Sequence, residues 1–142
     1  AIMGKSISKL LGDRGERIAC EYLVENGYKI LGRNYSISFG EIDIIARKKF
    51  KLFAGRDRAI HFIEVKTLKA SNPQLIFPES HVDFRKRSKL RQMAQIWLEN
   101  KSYPQDFPYQ IDIIGILIDE NSMISKVHYF PNAVPDVDKS AK

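Results

Sequence analysis

Apolar residues recur along this chain in two rhythms, and the switches between them divide it into elements. Ile18, Ala19, Tyr22 and Leu23 fall at helical spacing and Asn26-Gly27 supplies a stop, so a helix is expected from Asp13 to that pair. Residues 1–12 are small, polar and basic, and read as a loose lead-in. Residues 28–35 (YKILGRNY), 41–46 (EIDIIA) and 59–67 (AIHFIEVKT) are rich in β-branched and aromatic residues and read as three strands. A turn at 36–40 and a basic connector at 47–58 separate them, and two prolines mark 71–78 as a loop. Over His81–Asn100, Val82, Leu90, Met93, Ala94, Trp97 and Leu98 return to one stripe of a long helix. Residues 109–118 and 124–130 read as the fourth and fifth strands, and the polar stretch from Pro135 as a mobile tail. The order helix, three strands, helix, two strands predicts an α/β fold with a mixed central sheet of about five strands flanked by helices. One domain over residues 1–134, followed by a tail at 135–142, accommodates all of it.

Three charged residues interrupt this pattern. Side chains on a strand alternate with period two, so Phe62, Glu64 and Lys66 share one face of the third strand while Ile63 and Val65 take the other. By the same rule Glu41 and Asp43 share a face of the second strand, with Ile42 and Ile44 opposite. Both strands are apolar enough to be central in a covered sheet, where an unpaired charge is expensive. Asp43, Glu64 and Lys66 therefore break a local rule together, and such breaks concentrate at functional sites. The chemistry they suit is phosphodiester hydrolysis. Mg²⁺, or Mn²⁺ in its place, prefers oxygen ligands and binds through one or two carboxylates while keeping several waters. Asp43 and Glu64 supply the carboxylates, and the backbone carbonyl of Val65 offers a third oxygen. Lys66 then projects beside the metal, where it orients the attacking water or pairs with the phosphate. An alternating acid and base on a solvated sheet face is the competing explanation for Glu-x-Lys alone.

Charge and composition narrow the partners. The net charge of +6 and pI near 9.4 favour a polyanion such as nucleic acid. Cys20 is the only cysteine, which excludes an internal disulfide and a thiolate zinc site and points to a reducing, cytoplasmic setting. No stretch approaches the roughly 20 apolar residues of a membrane span. Arg85, Lys86, Arg87, Lys89 and Arg91 open the long helix and suit a phosphate-binding rim, or else a solvated helix face. Arg47, Lys48, Lys49 and Lys51 make a similar basic run in the connector. Tyr103, Phe107 and Tyr109 read as core or loop anchors before base-stacking residues, and His61, His81 and His128 lack metal-ligand spacing. No Gly-rich phosphate loop and no serine or cysteine triad signature occurs.

The segments Gly40-Glu41-Ile42-Asp43-Ile44-Ile45-Ala46 and Phe62-Ile63-Glu64-Val65-Lys66-Thr67 resemble the YraN-like family of bacterial proteins. That family is grouped with the restriction-endonuclease-like superfamily, whose signature is Asp…Glu-x-Lys, and archaeal Holliday-junction resolvases are relatives. Gly12, Gly15, Glu16, Ala19, Gly27-Tyr28, Arg33-Asn34-Tyr35, Lys86, Trp97, Asp112, His128 and Asn132-Ala133 extend the match almost end to end. The resemblance implies a restriction-endonuclease-like core with Asp43, Glu64 and Lys66 as active-site residues and Glu16 as an extra acidic group; Glu41 shares the expected face of Asp43. It implies DNA more readily than RNA as the partner, branched or repair intermediates as substrates, and a two-fold dimer, since relatives that cut branched DNA act as paired sites. A non-catalytic nucleic-acid-binding module of the same fold, or an RNA-processing nuclease, are the alternatives. Lys86, Arg85, Arg47 and Lys69 are the candidate phosphate-contacting residues. The chain departs from the family at Leu68 and Gln110, where Arg is common, so substrate grip is expected to differ there, with Lys69 standing in for one of them.

Overall fold

The computed structural model describes residues 6–49, 57–69, 84–119, 121–122 and 125–134. Its elements are α1 (Ile7–Glu25), β1 (Tyr28–Ile37), β2 (Gly40–Lys48), β3 (Ile60–Lys69), α2 (Phe84–Asn100), β4 (Tyr109–Ile118) and β5 (Ser125–Phe130). The element order is the expected one, and the strands form a five-stranded sheet in the order β1-β2-β3-β4-β5. β1, β2 and β3 pair antiparallel, β3 and β4 pair parallel, and β4 and β5 antiparallel. The single parallel pair is the one joined through a helix, because a parallel connection needs a long crossover.

α1 begins earlier than the sequence suggested. Ser6 caps it, its hydroxyl accepting from Lys9 N at 3.2 Å, so part of the expected lead-in is helical. Ile7 and Leu10 of these first turns are exposed and Leu11 alone packs with the buried stripe, so the stripe reaches only weakly into them. The helix stops where Gly27 takes a left-handed backbone (φ 86°). The expected segments at 71–78 and 135–142, Val82 and the middle of the basic connector lie outside the described residues.

Each helix covers one face of the sheet. α2 contributes Leu90, Met93, Ala94, Trp97 and Leu98 to a core shared with Ile42, Ile45, Ile60, Phe62, Ile111 and Ile113. Trp97 meets Phe62 edge-on and stacks on Tyr103, so Tyr103, Phe107 and Tyr109 anchor this core and its neighbouring loop, as expected. α1 covers the other face, where Ala19, Leu23 and Tyr28 pack on Ile44, Ala46, Ile63, Ile114, Ile116 and Ile118. Contact there is close: a Cβ on Gly15 would fall 1.8 Å from Thr67 Oγ1, so only glycine lets the helix lie this near β3.

The faces of β2 differ from the simple alternation. Ile42 packs in the α2 layer but Ile44 in the α1 layer, so Ile42 and Ile44 do not share a face and the period breaks at Asp43. β1 breaks at the same level. Asn34, between Arg33 (paired with Ile44) and Tyr35 (paired with Ile42), has a positive φ of 52°. Asparagine tolerates that region better than most residues because its short side chain bonds locally. This joint irregularity positions the candidate site.

Candidate active site

β2 and β3 remain paired from Arg47↔Ile60 to Ile44↔Ile63 and then part. β3 continues alongside β4 through Lys69, so one edge of β3 is released at Glu64 and Val65. Asp43 fills the fork: its Oδ2 accepts from the freed Val65 N–H at 2.8 Å. The N–H and C=O of one strand residue point to the same side, so the Val65 carbonyl opens into the same notch. Glu64 stands on the α2 face, in step with Ile60 and Phe62, and is only 12% exposed. Its Oε1 is ion-paired with the Lys86 ammonium on α2, while its Oε2 is buried without a hydrogen-bond partner. Lys66 is half-buried, two residues further along the same strand.

The electrostatics of the fork are those of crowded carboxylates. Burial raises the Asp43 pKa, the Val65 N–H opposes this, Glu64 and Glu41 raise it further and Lys86 lowers it, with a net value of about 6. Glu16 reaches the same region from α1. Its pKa is also raised, by burial first and then by Asp43, Asp13 and Glu41, with Arg33 opposing. The Asn34 amide, with its nitrogen turned toward the acids, donates to Glu16 Oε2 at 3.1 Å and Glu41 Oε1 at 3.2 Å. Asn34 thus clamps two acidic side chains whose charge bears on Asp43. The sequence places Asn34 only in the first strand; an Asn inside a strand segment, in Arg-Asn-Tyr, was the available signal of a left-handed kink.

The remaining candidates divide. Lys86 joins the fork through Glu64. Lys69 is exposed at the far end of β3. Arg47 sits four residues from Asp43, about 13 Å along the strand, and donates to the Lys48 carbonyl at 3.4 Å, so it does not belong to the fork. The side chain of Arg85 lies outside the described residues.

A second polar cluster lies on the α1 face, toward the start of β3. Asp112 and His61 are fully buried. His61 Nδ1 bonds Asp112 Oδ2 at 2.6 Å and its Nε2 bonds Asp57 Oδ2 at 2.9 Å. Tyr129 donates to Asp112 Oδ2, while Asn132 N and Gln110 Nε2 donate to its Oδ1 at 2.7 and 2.8 Å. Burial works against the charge on Asp112, but these donors hold its pKa below the usual carboxylate range. Burial likewise lowers the His61 pKa, and Asp112 and Asp57 outweigh it and raise the net value. Gln110 is thus committed to a buried carboxylate rather than to substrate grip. The sequence signal for this cluster was the same as for the fork: a polar residue at an inward position of an apolar strand, in Ala-Ile-His-Phe-Ile and in Gln-Ile-Asp-Ile-Ile.

No helix among the described residues is long and apolar enough to cross a membrane. Comparison with known proteins places the fork, Glu16, Lys86 and Asp112 inside one matched region. The model of the uncharacterised protein family UPF0102 matches residues 15–116. A UPF0102 protein of Caldanaerobacter subterraneus subsp. tengcongensis is 37% identical over 132 residues, covering 92% of this chain and 99% of its own length. One from Desulforamulus reducens is 33% identical, covering 89% of this chain and 96% of its own, and one from Dictyoglomus turgidum is 35% identical, with 89% and 98% covered. With relatives matched over nearly their whole length and a family model spanning both helix-packed faces of the sheet, the chain belongs to the UPF0102, or YraN-like, family.

Proposed function

We propose that this protein is a Mg²⁺- or Mn²⁺-dependent nuclease that hydrolyses phosphodiester bonds in DNA, with branched repair or recombination intermediates as its substrates. The observation that carries this reading is the fork itself. Asp43 and Glu64 meet where β2 leaves β3, Asp43 with a pKa raised to about 6 and Glu64 with a buried, unpartnered Oε2. Carboxylates crowded in this way favour a cation. The donor set is oxygen throughout, two carboxylates and the Val65 carbonyl, which fits a hard divalent ion that keeps several waters. Oxygen donors of this kind suit Mg²⁺ or Mn²⁺ better than a zinc site built on Cys and His.

When bound, the ion supplies Lewis-acid stabilisation of the phosphate and a more acidic water. The chain's own residues do the rest. Asp43 is fixed by the Val65 N–H, so its carboxylate is oriented before any ligand arrives. Lys66 follows Glu64 on the same strand face and provides positive charge for the phosphate and a donor to hold the attacking water. Lys86 balances Glu64 in the free protein and is within reach of a phosphate entering over α2. Glu16 and Glu41, clamped by Asn34, add acceptors on the α1 side for a second water or ion.

The test is metal-dependent cleavage of labelled single-stranded, duplex, flapped and four-way-junction DNA, beside the same shapes in RNA. Glu64→Ala and Lys66→Ala are expected to lose at least ~100-fold in rate while remaining folded. Cutting that survives in both variants would sink the assignment of these residues. Salt-sensitive binding with no cutting by the intact protein on any substrate would instead favour a binding module, and preference for RNA a processing enzyme.

A further inference from the structure

Among the described residues, three side-chain polar atoms are buried without a hydrogen-bond partner: Tyr35 Oη, Glu64 Oε2 and Arg87 Nε. Such atoms are costly, most of all in charged groups, and each invites an explanation. Tyr35 lies on β1, two strands from Glu64. Glu64 and Arg87 lie on two elements that meet, since Glu64 is ion-paired with Lys86, the residue that precedes Arg87 on α2. Arg87 also stands three, seven and eleven positions before the buried Leu90, Ala94 and Leu98. At 3.6 residues per turn its stem leaves the helix on the flank that packs on the sheet. A cationic donor and an anionic acceptor thus face the layer between α2 and β3, and they are not bonded to each other.

One kind of ligand satisfies both groups: an oxyanion carried by a divalent ion, with the ion toward Glu64 and an oxygen toward the guanidinium. We propose that Arg87 is a substrate-binding residue that grips a non-bridging oxygen of the phosphodiester held at the fork. The proposal rests on the nuclease reading and deepens it: the basic run opening α2 suits a phosphate-binding rim as a whole, and here Arg87 is given one particular oxygen of the phosphodiester at the fork. Arginine suits the role because its planar fork donates two parallel hydrogen bonds to a phosphate and stays charged when desolvated.

The test compares the intact protein with Arg87→Lys and Arg87→Met. Binding of fluorescein-labelled duplex and four-way-junction DNA is followed by anisotropy in Ca²⁺ at several salt concentrations, cleavage is measured in Mg²⁺, and melting temperature is recorded for each variant. Arg87→Met is expected to weaken binding ~10- to 100-fold and to reduce the slope of log K against log salt by about 1. Arg87→Lys is expected to restore the salt slope but only part of the affinity, because the charge returns without the fork. Neither variant should melt at a lower temperature, since the buried Nε has no bond to lose. Unchanged binding and cleavage in Arg87→Met would overturn the proposal and leave the nuclease reading intact, and so would a lowered melting temperature that accounts for the whole loss. Arg87-dependent binding by a protein that never cuts would uphold the phosphate grip and remove the nuclease reading. An intact protein that binds neither DNA would overturn both.

Discussion

Replacing Asp43 with Asn should make the metal-free protein more stable while disabling it. The amide keeps the size of the carboxylate and still offers an oxygen to the Val65 N–H, but it removes one charge from a crowded cluster. The folded-state pKa is about 6 against an ordinary 3.8, a gap of about 2 units at ~1.36 kcal/mol each, so ionising Asp43 within the fold costs about 3 kcal/mol. Partial exposure of the fork screens some of this, and a gain of about 2 kcal/mol is the working expectation. The sign follows from the raised pKa. Stability attached to the protonated form is fully present below about 3.8 and is lost as pH rises through about 6. The advantage of Asp43→Asn should therefore be complete above about pH 7 and shrink to roughly 1 kcal/mol or less near pH 4.5. Urea denaturation of both proteins at the two pH values measures it. Saturating Mg²⁺ should then stabilise the wild type by about 2–3 kcal/mol at ~100 times its Kd and leave the variant unmoved. A variant that is less stable at pH 8, or whose advantage does not depend on pH, would refute the electrostatic account of the fork.

Other expectations follow from the packing and the second polar cluster. Gly15→Ala drives a methyl into Thr67 and should cost about 1–3 kcal/mol in thermal or urea unfolding, with Thr67→Ala recovering part of it. Asp112→Asn removes one partner of a buried ion pair and should cost about 3–5 kcal/mol in urea unfolding. Because the His61 pKa is raised, its contribution should be full below its ordinary value and fall as pH climbs through the folded one. Because the Asp112 pKa is lowered, its contribution should fall in acid, giving a stability profile that declines on both sides. Asn34→Gly keeps the left-handed backbone but frees Glu16 and Glu41, so it should fold normally and lose metal affinity, read by calorimetric titration with Mn²⁺.

What the sequence revealed and what it hid have separate physical causes. The strands were legible because Ile-rich runs bounded by turn residues carry a local signal, and residues 109–118 matched β4 residue for residue. Glu64 and Lys66 were found because an acid and a base at inward positions of an apolar strand contradict burial. The first turns of α1 were missed because Ile7 and Leu10 are exposed and Leu11 alone carries the buried stripe back into them. The shared kink at Asn34 and Asp43 was missed for a different reason. Period-two reasoning treats each strand alone, whereas the break is made by β1 and β2 together and by the parting of β2 from β3. The bond between His61 and Asp112 spans 51 positions in sequence, and nothing local to either residue announces the other.

That buried pair also bears on how the chain assembles itself. β3 and β4 must find each other across a long crossover, and apolar residues recur along both, isoleucine above all in β4, so hydrophobicity alone barely distinguishes one alignment from the next. A slip of β4 by a single position would swing Asp112 out of the α1 layer into the apolar layer under α2 and leave His61 facing an isoleucine. The wrong alignment would then strand a buried charge instead of merely loosening a contact. The bonds among Asp57, His61, Asp112 and Tyr129 thus favour one register of β3 on β4 where the apolar residues alone would leave the choice open.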